Sequence, residues 1–177
     1  MLTSRINFTN FKIKKPSLLV KKNLISILKS KNEVLNSLGK NYKNSFTKNF
    51  MRKYKKIQNY NVIGMGGSTL GTQTIYDFLS HKIKKKFIFT DNLQANPNKS
   101  DKKNTNIIIS KSGNTIETII NANIHIKKKD KNIFITENKK SYLYSLAEKL
   151  KSDIIHHNNY IGGRYSVLSE VGMLPSE

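Results

Sequence analysis

The segment that decides the fold is residues 60–71, which read YNVIGMGGSTLG. A short apolar run ends at Ile63, three closely spaced glycines follow it, and apolar residues at helical spacing begin at Leu70. A strand, a glycine turn and a helix in this order are typical of the first half of a βαβ unit. The segment therefore predicts an α/β domain with a parallel sheet.

Four more apolar runs follow this segment. They centre on residues 87–89, 107–109, 133–135 and 154–155. The runs are continuous rather than alternating, which indicates strands covered on both faces. Apolar positions at helical spacing predict helices after the first, third and fourth strands, whereas residues 92–103, which include Pro97, predict a loop. We expect five parallel strands flanked by helices.

Residues 1–58 lack this pattern and predict a helical extension before the domain of residues 59–177. Ser17 is placed as the N-cap of a first helix, and a second helical stretch ends at Gly39. Beyond it, one stripe predicts a longer helix that packs against the sheet. The stripe consists of Tyr42, Phe46, Phe50, Tyr54 and Ile57.

The composition is strongly basic, with a formal net charge of +21. The lysines are spread along the whole chain, and arginine occurs only as Arg5, Arg52 and Arg164, which argues against a nucleic-acid partner. The chain has no cysteine and no apolar stretch long enough to cross a bilayer. We therefore expect a cytoplasmic protein that binds neither nucleic acid nor a membrane and attracts anionic substrates.

Ligands of open parallel sheets bind at the carboxyl ends of the strands, and the first of these ends is glycine-rich. Gly64 and Gly66 could begin a dinucleotide-binding fingerprint, with Asp91 on the ribose. The third glycine of that fingerprint is replaced by Thr69, and Gly67 and Ser68 build a different loop. Glycines before a helix allow close approach of an anion, so a phosphate is the better candidate.

The second strand end of interest follows the apolar run of residues 107–109 and carries residues 110–115, which read SKSGNT. Three hydroxyls, a lysine and a glycine before a helix are suited to hold a phosphate. Asn114 and Glu117 have the spacing of a capping box, which predicts that the helix starts at Thr115. The alternative is a capped, solvated loop with no ligand.

The third strand end of interest comes after the last apolar run, of residues 154–155, and carries residues 160–166, which read YIGGRYS. Two glycines beside Arg164 allow its guanidinium to lie against a small ligand, where it can stabilise a developing oxyanion. The alternative is an ordinary surface arginine.

In this order and spacing, the three segments resemble the phosphoglucose isomerase family of sugar isomerase (SIS) domains. GMGGSTLG resembles its first glycine loop, SKSGNTIET its phosphate loop, and YIGGRYSVLSEVG the signature around its catalytic arginine. The resemblance runs from Tyr60 to the end of the chain. It implies a Rossmann-like or flavodoxin-like SIS domain.

The resemblance also implies roles for individual residues. Gly67 and Ser68 would contact the sugar phosphate, and Arg164 would stabilise an enediolate. The phosphate itself would be surrounded by Ser110, Lys111, Ser112, Gly113, Asn114 and Thr115. The sequence departs from the family pattern twice, because Asn114 replaces a more usual threonine and Glu170 replaces a small residue.

The implied reaction is the interconversion of glucose 6-phosphate and fructose 6-phosphate through a cis-enediol, without metal or organic cofactor. In the family the glutamate base lies in a second SIS domain, and no residue here matches it. We therefore expect a truncated chain that binds the hexose 6-phosphate without isomerising it. Family resemblance implies a homodimer for the full-length enzyme.

Two other functions use the same loops. One is a stand-alone SIS module that binds a phosphosugar for regulation. The other is a bifunctional phosphoglucose and phosphomannose isomerase, whose phosphate loop can also read SGNT, although the segment GGRYS argues against it.

Overall fold

The structure, a computed structural model, describes residues 17–30, 32–39, 41–93, 105–127 and 129–177. From Asn59 to His156 the described strands and helices alternate, as the sequence predicts, except that two strands follow one another on either side of residues 94–104. The elements are α1 (Leu18–Lys29), α2 (Glu33–Ser37), α3 (Lys48–Arg52), β1 (Asn59–Ile63), α4 (Gly67–Leu79), β2 (Lys86–Thr90), β3 (Thr105–Ile109), α5 (Ile116–His125), β4 (Lys131–Thr136), α6 (Tyr142–Lys149), β5 (Asp153–His156), a 3-10 helix (Gly163–Leu168) and α7 (Glu170–Ser176).

The strands form one five-stranded sheet in the order β2-β1-β3-β4-β5, and all neighbouring pairs are parallel. This is the flavodoxin-like order of a doubly wound fold. The prediction of five parallel strands flanked by helices is confirmed. The loop expected in residues 92–103 falls mostly on residues 94–104, which lie outside the described residues.

Each face of the sheet has its own apolar core. On one face Ile63, Ile108 and Phe134 pack with Ala122 of α5 and Leu143 of α6. The core of the other face contains isoleucines of the same strands together with two residues of α7, and aromatic residues of the extension complete it. Its buried members include Val62, Ile107, Ile109, Ile133, Ile135, Ile155, Tyr54, Tyr60, Val171 and Leu174.

The expectation that every strand is covered on both faces holds for the central strands and is wrong for the outer two. All five residues of β3 are buried, whereas β2 and β5 are only partly covered. Ile88 of β2, for example, is 52% exposed. These strands form the sheet edges, where fewer helices pack.

The first two helices expected before the sheet are present as α1 and α2. The hydroxyl of Ser17 accepts a hydrogen bond from the Val20 N–H at 3.2 Å and caps α1, and α2 ends just before Gly39. All described residues of α1 are exposed. None of the described helices combines the length and apolar character that a membrane crossing requires.

The single long helix expected through the aromatic stripe is wrong. Only Lys48–Arg52 is helical, because Thr47 caps a new start at its N-terminus and turns follow it. The segment before α3 instead extends towards α7, where Tyr42 forms hydrogen bonds. The packing role of the stripe is confirmed, since Tyr54 lies in the core and Phe46, Phe50 and Ile57 pack against it.

Candidate functional site

The first two strand ends lie side by side at the carboxyl edge of the sheet. β1 pairs with β3 in parallel, with Ile63 opposite Ile108. The next residues are also close, because a Cβ built on Gly64 would lie 3.0 Å from the Ile109 carbonyl oxygen. The first glycine loop and the loop of residues 110–115 are therefore neighbours, as the parallel sheet predicts.

The third strand end reaches the first through direct backbone contact. A Cβ on Gly67 would lie 2.5 Å from the carbonyl carbon of Gly163 and 2.9 Å from its Cα. The absence of a side chain at Gly67 is thus what allows the two segments to touch. We call Gly163–Leu168, the 3-10 helix that carries Arg164, the arginine segment.

A buried hydroxyl strengthens this contact. Ser166 Oγ lies 2.7 Å from the Gly163 carbonyl oxygen and 3.2 Å from that of Gly67, so its proton is shared between the two segments. The Arg164 side chain, which lies between Gly163 and Ser166 in the chain, is exposed. The arginine segment is therefore fixed on the first turn of α4, and Arg164 remains exposed to solvent.

The loop of residues 110–115 is organised by its own first hydroxyl. Ser110 Oγ accepts a hydrogen bond from the Gly113 N–H at 3.2 Å and lies 2.9 Å from Thr115 Oγ1. Ser110 is buried, whereas Ser112 is exposed. Of the two serines, Ser112 is thus the one that faces solvent, and Ser110 stabilises the loop through hydrogen bonds inside it.

Gly113 is required by both its backbone and its surroundings. Its φ is +66°, in the region that favours glycine, and an added Cβ would lie 2.7 Å from Ser141 Cβ and collide with Ser141 Oγ. The loop is thus packed directly against the residue that caps α6.

The capping box expected for Asn114 and Glu117 is wrong. Helix α5 begins at Ile116 after Thr115, and no described side chain caps its first turn. Asn114 Oδ1 instead accepts a hydrogen bond from the Tyr142 N–H at 2.9 Å. The side chain therefore serves the first turn of α6, whose free N–H groups are equally in need of an acceptor.

Lys111 has a partner that the sequence did not indicate. Its ammonium lies 3.8 Å from Glu137 Oε1, and the Glu137 N–H donates to the Lys111 carbonyl at 3.1 Å. Glu137 directly follows β4 and so comes to the same edge of the sheet. Its carboxylate reduces the positive charge of this loop.

The similarity to known proteins follows this geometry. A family model described as phosphoglucose isomerase matches residues 27–176. The chain belongs to the phosphoglucose isomerase family. The resemblance drawn from the three segments is thereby confirmed.

Two curated relatives are named glucose-6-phosphate isomerase. The chain is 38% identical over 139 residues to glucose-6-phosphate isomerase of Methanocaldococcus jannaschii and 39% identical over 145 residues to that of Acholeplasma laidlawii. Each match covers 70% of this chain and 34% of the relative. The chain therefore spans about a third of the length of these phosphoglucose isomerases.

Solved structures share the fold at lower identity. A hypothetical protein of Thermus thermophilus matches with a TM-score of 0.68 and 22% identity, over 89% of this chain and 42% of the other. Tagatose-6-phosphate ketose/aldose isomerase of Escherichia coli matches with a TM-score of 0.51 and 18% identity, over 82% of this chain and 40% of the other. These likenesses show the α/β fold alone.

Sequence reasoning missed the residues that join the loops of this phosphoglucose isomerase domain. Two of these residues, Gly163 and Ser166, lie inside the segment YIGGRYS, and the third, Glu137, follows the apolar run of residues 133–135. Each has a partner elsewhere in the chain. The GGRYS motif is the only sequence signal that pointed towards Ser166. No local pattern pointed to Glu137.

Proposed function

We propose that this chain is the phosphosugar-binding part of a glucose-6-phosphate isomerase, which interconverts glucose 6-phosphate and fructose 6-phosphate through a cis-enediol. The observation that carries the proposal is the contact between Gly67 and Gly163, which joins the arginine segment to the first glycine loop. The names of the curated relatives supply the reaction.

In this proposal the loops divide the work between binding and charge stabilisation. Residues 110–115 hold the phosphate with backbone N–H groups, the Ser112 hydroxyl and the Lys111 ammonium, and Gly67 and Ser68 border the sugar. Arg164 faces the negative charge that develops on oxygen as the proton moves between C1 and C2. The ester carries two negative charges, so this edge of a strongly basic chain also attracts it over distance.

Proton transfer needs a base that this part does not provide in our proposal. Glu137 is paired with Lys111, and Glu170 is fully buried and hydrogen-bonded. Neither carboxylate is placed to exchange a proton with a bound sugar.

We assign residues 1–58 to a helical extension and residues 59–177 to a first SIS domain, with the base in a second one. We further propose that the full-length enzyme is a cytoplasmic homodimer.

Binding can be tested with a charge placed in the loop. Ser112→Asp is expected to weaken glucose 6-phosphate binding about tenfold or more, because a carboxylate beside the doubly charged ester is repulsive. Ser112 is exposed, so the variant buries no charge. Isothermal titration calorimetry gives the affinity.

The matched control is Gln58→Glu, which adds the same charge at an exposed position just before β1, at the opposite edge of the sheet. It should change the affinity less than twofold. Equal affinities for the Ser112→Asp variant and the unaltered chain would show that this loop does not hold the phosphate.

Catalysis can be tested separately. A coupled assay of the 177-residue chain with fructose 6-phosphate is expected to show no turnover above an Arg164→Ala control, since the proposed base is absent. Turnover that depends on Arg164 would overturn the assignment of the base to another domain.

A further inference from the structure

Glu170 is a fully buried carboxylate outside the proposed phosphate loop. It begins α7, two residues after the arginine segment, and its relative exposure is 0%. The Tyr42 hydroxyl lies 2.9 and 3.0 Å from its two oxygens, and the N–H and hydroxyl of Ser45 donate to Oε1 at 3.0 and 3.1 Å. A charge this deep is stable only with such partners.

The same carboxylate reaches the segment that precedes the arginine segment. Asn158 Nδ2 donates to the Tyr42 hydroxyl oxygen at 3.0 Å. The buried His157 ring places Nδ1 at 3.9 Å from Glu170 Oε2. The chain is thus tied to the cluster around the buried Glu170 carboxylate both before the arginine segment, at residues 157–158, and after it, at Glu170.

Two hydrogen bonds, through Ser166, link the neighbour of Glu170 in the chain to the residue before Arg164. The hydroxyl of Ser169, next to Glu170 in the chain, donates to the Ser166 carbonyl at 2.7 Å. Ser166 in turn donates to Gly163. Ser166, Ser169 and Glu170 are all at most 1% exposed, so these bonds are shielded from competition by water.

We propose that Glu170 is a positioning residue for Arg164, and that the helical extension takes part through Tyr42 and Ser45. The proposal rests on the function proposed above and adds to it a role for a carboxylate where the family signature has a small residue. Glu170 does not touch the sugar. By fixing both ends of residues 159–169, it determines the position of the Arg164 guanidinium.

The test compares two probes on four variants. Arabinonate 5-phosphate carries a carboxylate that copies the charge of the enediolate, so its affinity depends on Arg164. Inorganic phosphate reports on the phosphate loop alone. Glu170→Ala and Tyr42→Phe are expected to lower the affinity for arabinonate 5-phosphate at least fivefold and to change the affinity for inorganic phosphate less than twofold. Glu170→Gln retains an acceptor for Ser45 and should lose less than Glu170→Ala.

The chain offers a matched control in Tyr54→Phe. The Tyr54 hydroxyl donates to Asp153, so this is another tyrosine and carboxylate pair, but it lies at the amino edge of the sheet. Its loss should lower stability without changing the ratio of the two affinities. Equal losses for both probes in the Glu170 and Tyr42 variants, or no loss for either, would overturn the positioning role.

Amide hydrogen exchange of the ligand-free chain separates this inference from the proposed function. If the unaltered chain binds no sugar phosphate, the proposed function fails, and exchange in the arginine segment still tests the link to Glu170. We expect faster exchange there in Tyr42→Phe than in Tyr54→Phe. Should Glu170→Ala fail to fold, Tyr42→Phe, which removes one hydroxyl, decides alone. Unchanged exchange in Tyr42→Phe would overturn the inference.

Discussion

Replacing Gly67 with alanine is expected to abolish measurable binding of glucose 6-phosphate and to lower the free energy of unfolding by about 3 kcal/mol. The new Cβ would lie 2.5 Å from the Gly163 carbonyl carbon and 2.9 Å from its Cα, and it would collide with the carbonyl oxygen. All three are backbone atoms, so no side chain can rotate away to make room.

The two segments must therefore separate in the Gly67→Ala variant. Separation also breaks the hydrogen bond from Ser166 to the Gly67 carbonyl and moves Arg164 away from the glycine loop. Calorimetric titration and urea unfolding measure the two effects. The loss of binding should exceed what the loss of stability explains, because a folded but displaced arginine segment no longer completes the site.

Gly162→Ala is the control for Gly67→Ala. Its φ is −72° and its ψ is 154°, which any residue adopts, and the nearest atom to its Cβ is Tyr165 Cδ2 at 3.7 Å. We expect unchanged affinity and equal or slightly higher stability. Wild-type affinity in Gly67→Ala would mean that the contact with Gly163 is not part of the site.

Acidification is expected to destabilise the chain strongly through Glu170. Burial by itself would raise the pKa of this carboxyl. The interactions with His157, with the N–H groups of Glu170 and Ser45 and with the Tyr42 hydroxyl outweigh burial and lower the pKa from 4.5 to about 2. The folded state thus binds the proton less readily than the unfolded state, so the stabilisation is complete above about pH 4.5 and is lost as the pH falls towards 2.

The size of this effect follows from the shift of the pKa. At 1.36 kcal/mol per pKa unit it amounts to about 3 kcal/mol. Urea unfolding from pH 7 to pH 3 should show a steep loss of stability in the unaltered chain and a shallower one in Glu170→Gln. Parallel curves for the two proteins would contradict the lowered pKa of Glu170.

Asp153→Asn provides the comparison for Glu170→Gln. Burial opposes the ionisation of Asp153 too, but Tyr54 and Lys53 bind its carboxylate and lower its pKa. Its side chain is 32% exposed, so solvent screens these interactions and the effect on acid stability should be smaller than that of Glu170. The order of the two slopes thus tests whether burial at Glu170 matters.

Local patterns predicted most of the elements of this fold. Residues 107–109 and 133–135 read as strands because a continuous apolar run has few alternatives when glycine or polar residues bound it. The aromatic stripe from Tyr42 to Ile57 has helical spacing. It does not form a single helix, because Tyr42 is used in a distant hydrogen bond. Asn114 failed as a cap of α5 for the same reason, since a neighbouring helix offered its side chain another donor.

The sequence by itself determined which loops lie at the carboxyl edge of the sheet, because parallel strands place the residues that follow them on one side. Only the tertiary structure decided that Gly67 meets Gly163 and that Tyr42 and Ser45 surround Glu170. These partners are separated by about a hundred residues or more. Their meeting depends on the path of the chain after β5 and on the burial of a charge, and neither leaves a periodic trace in the sequence.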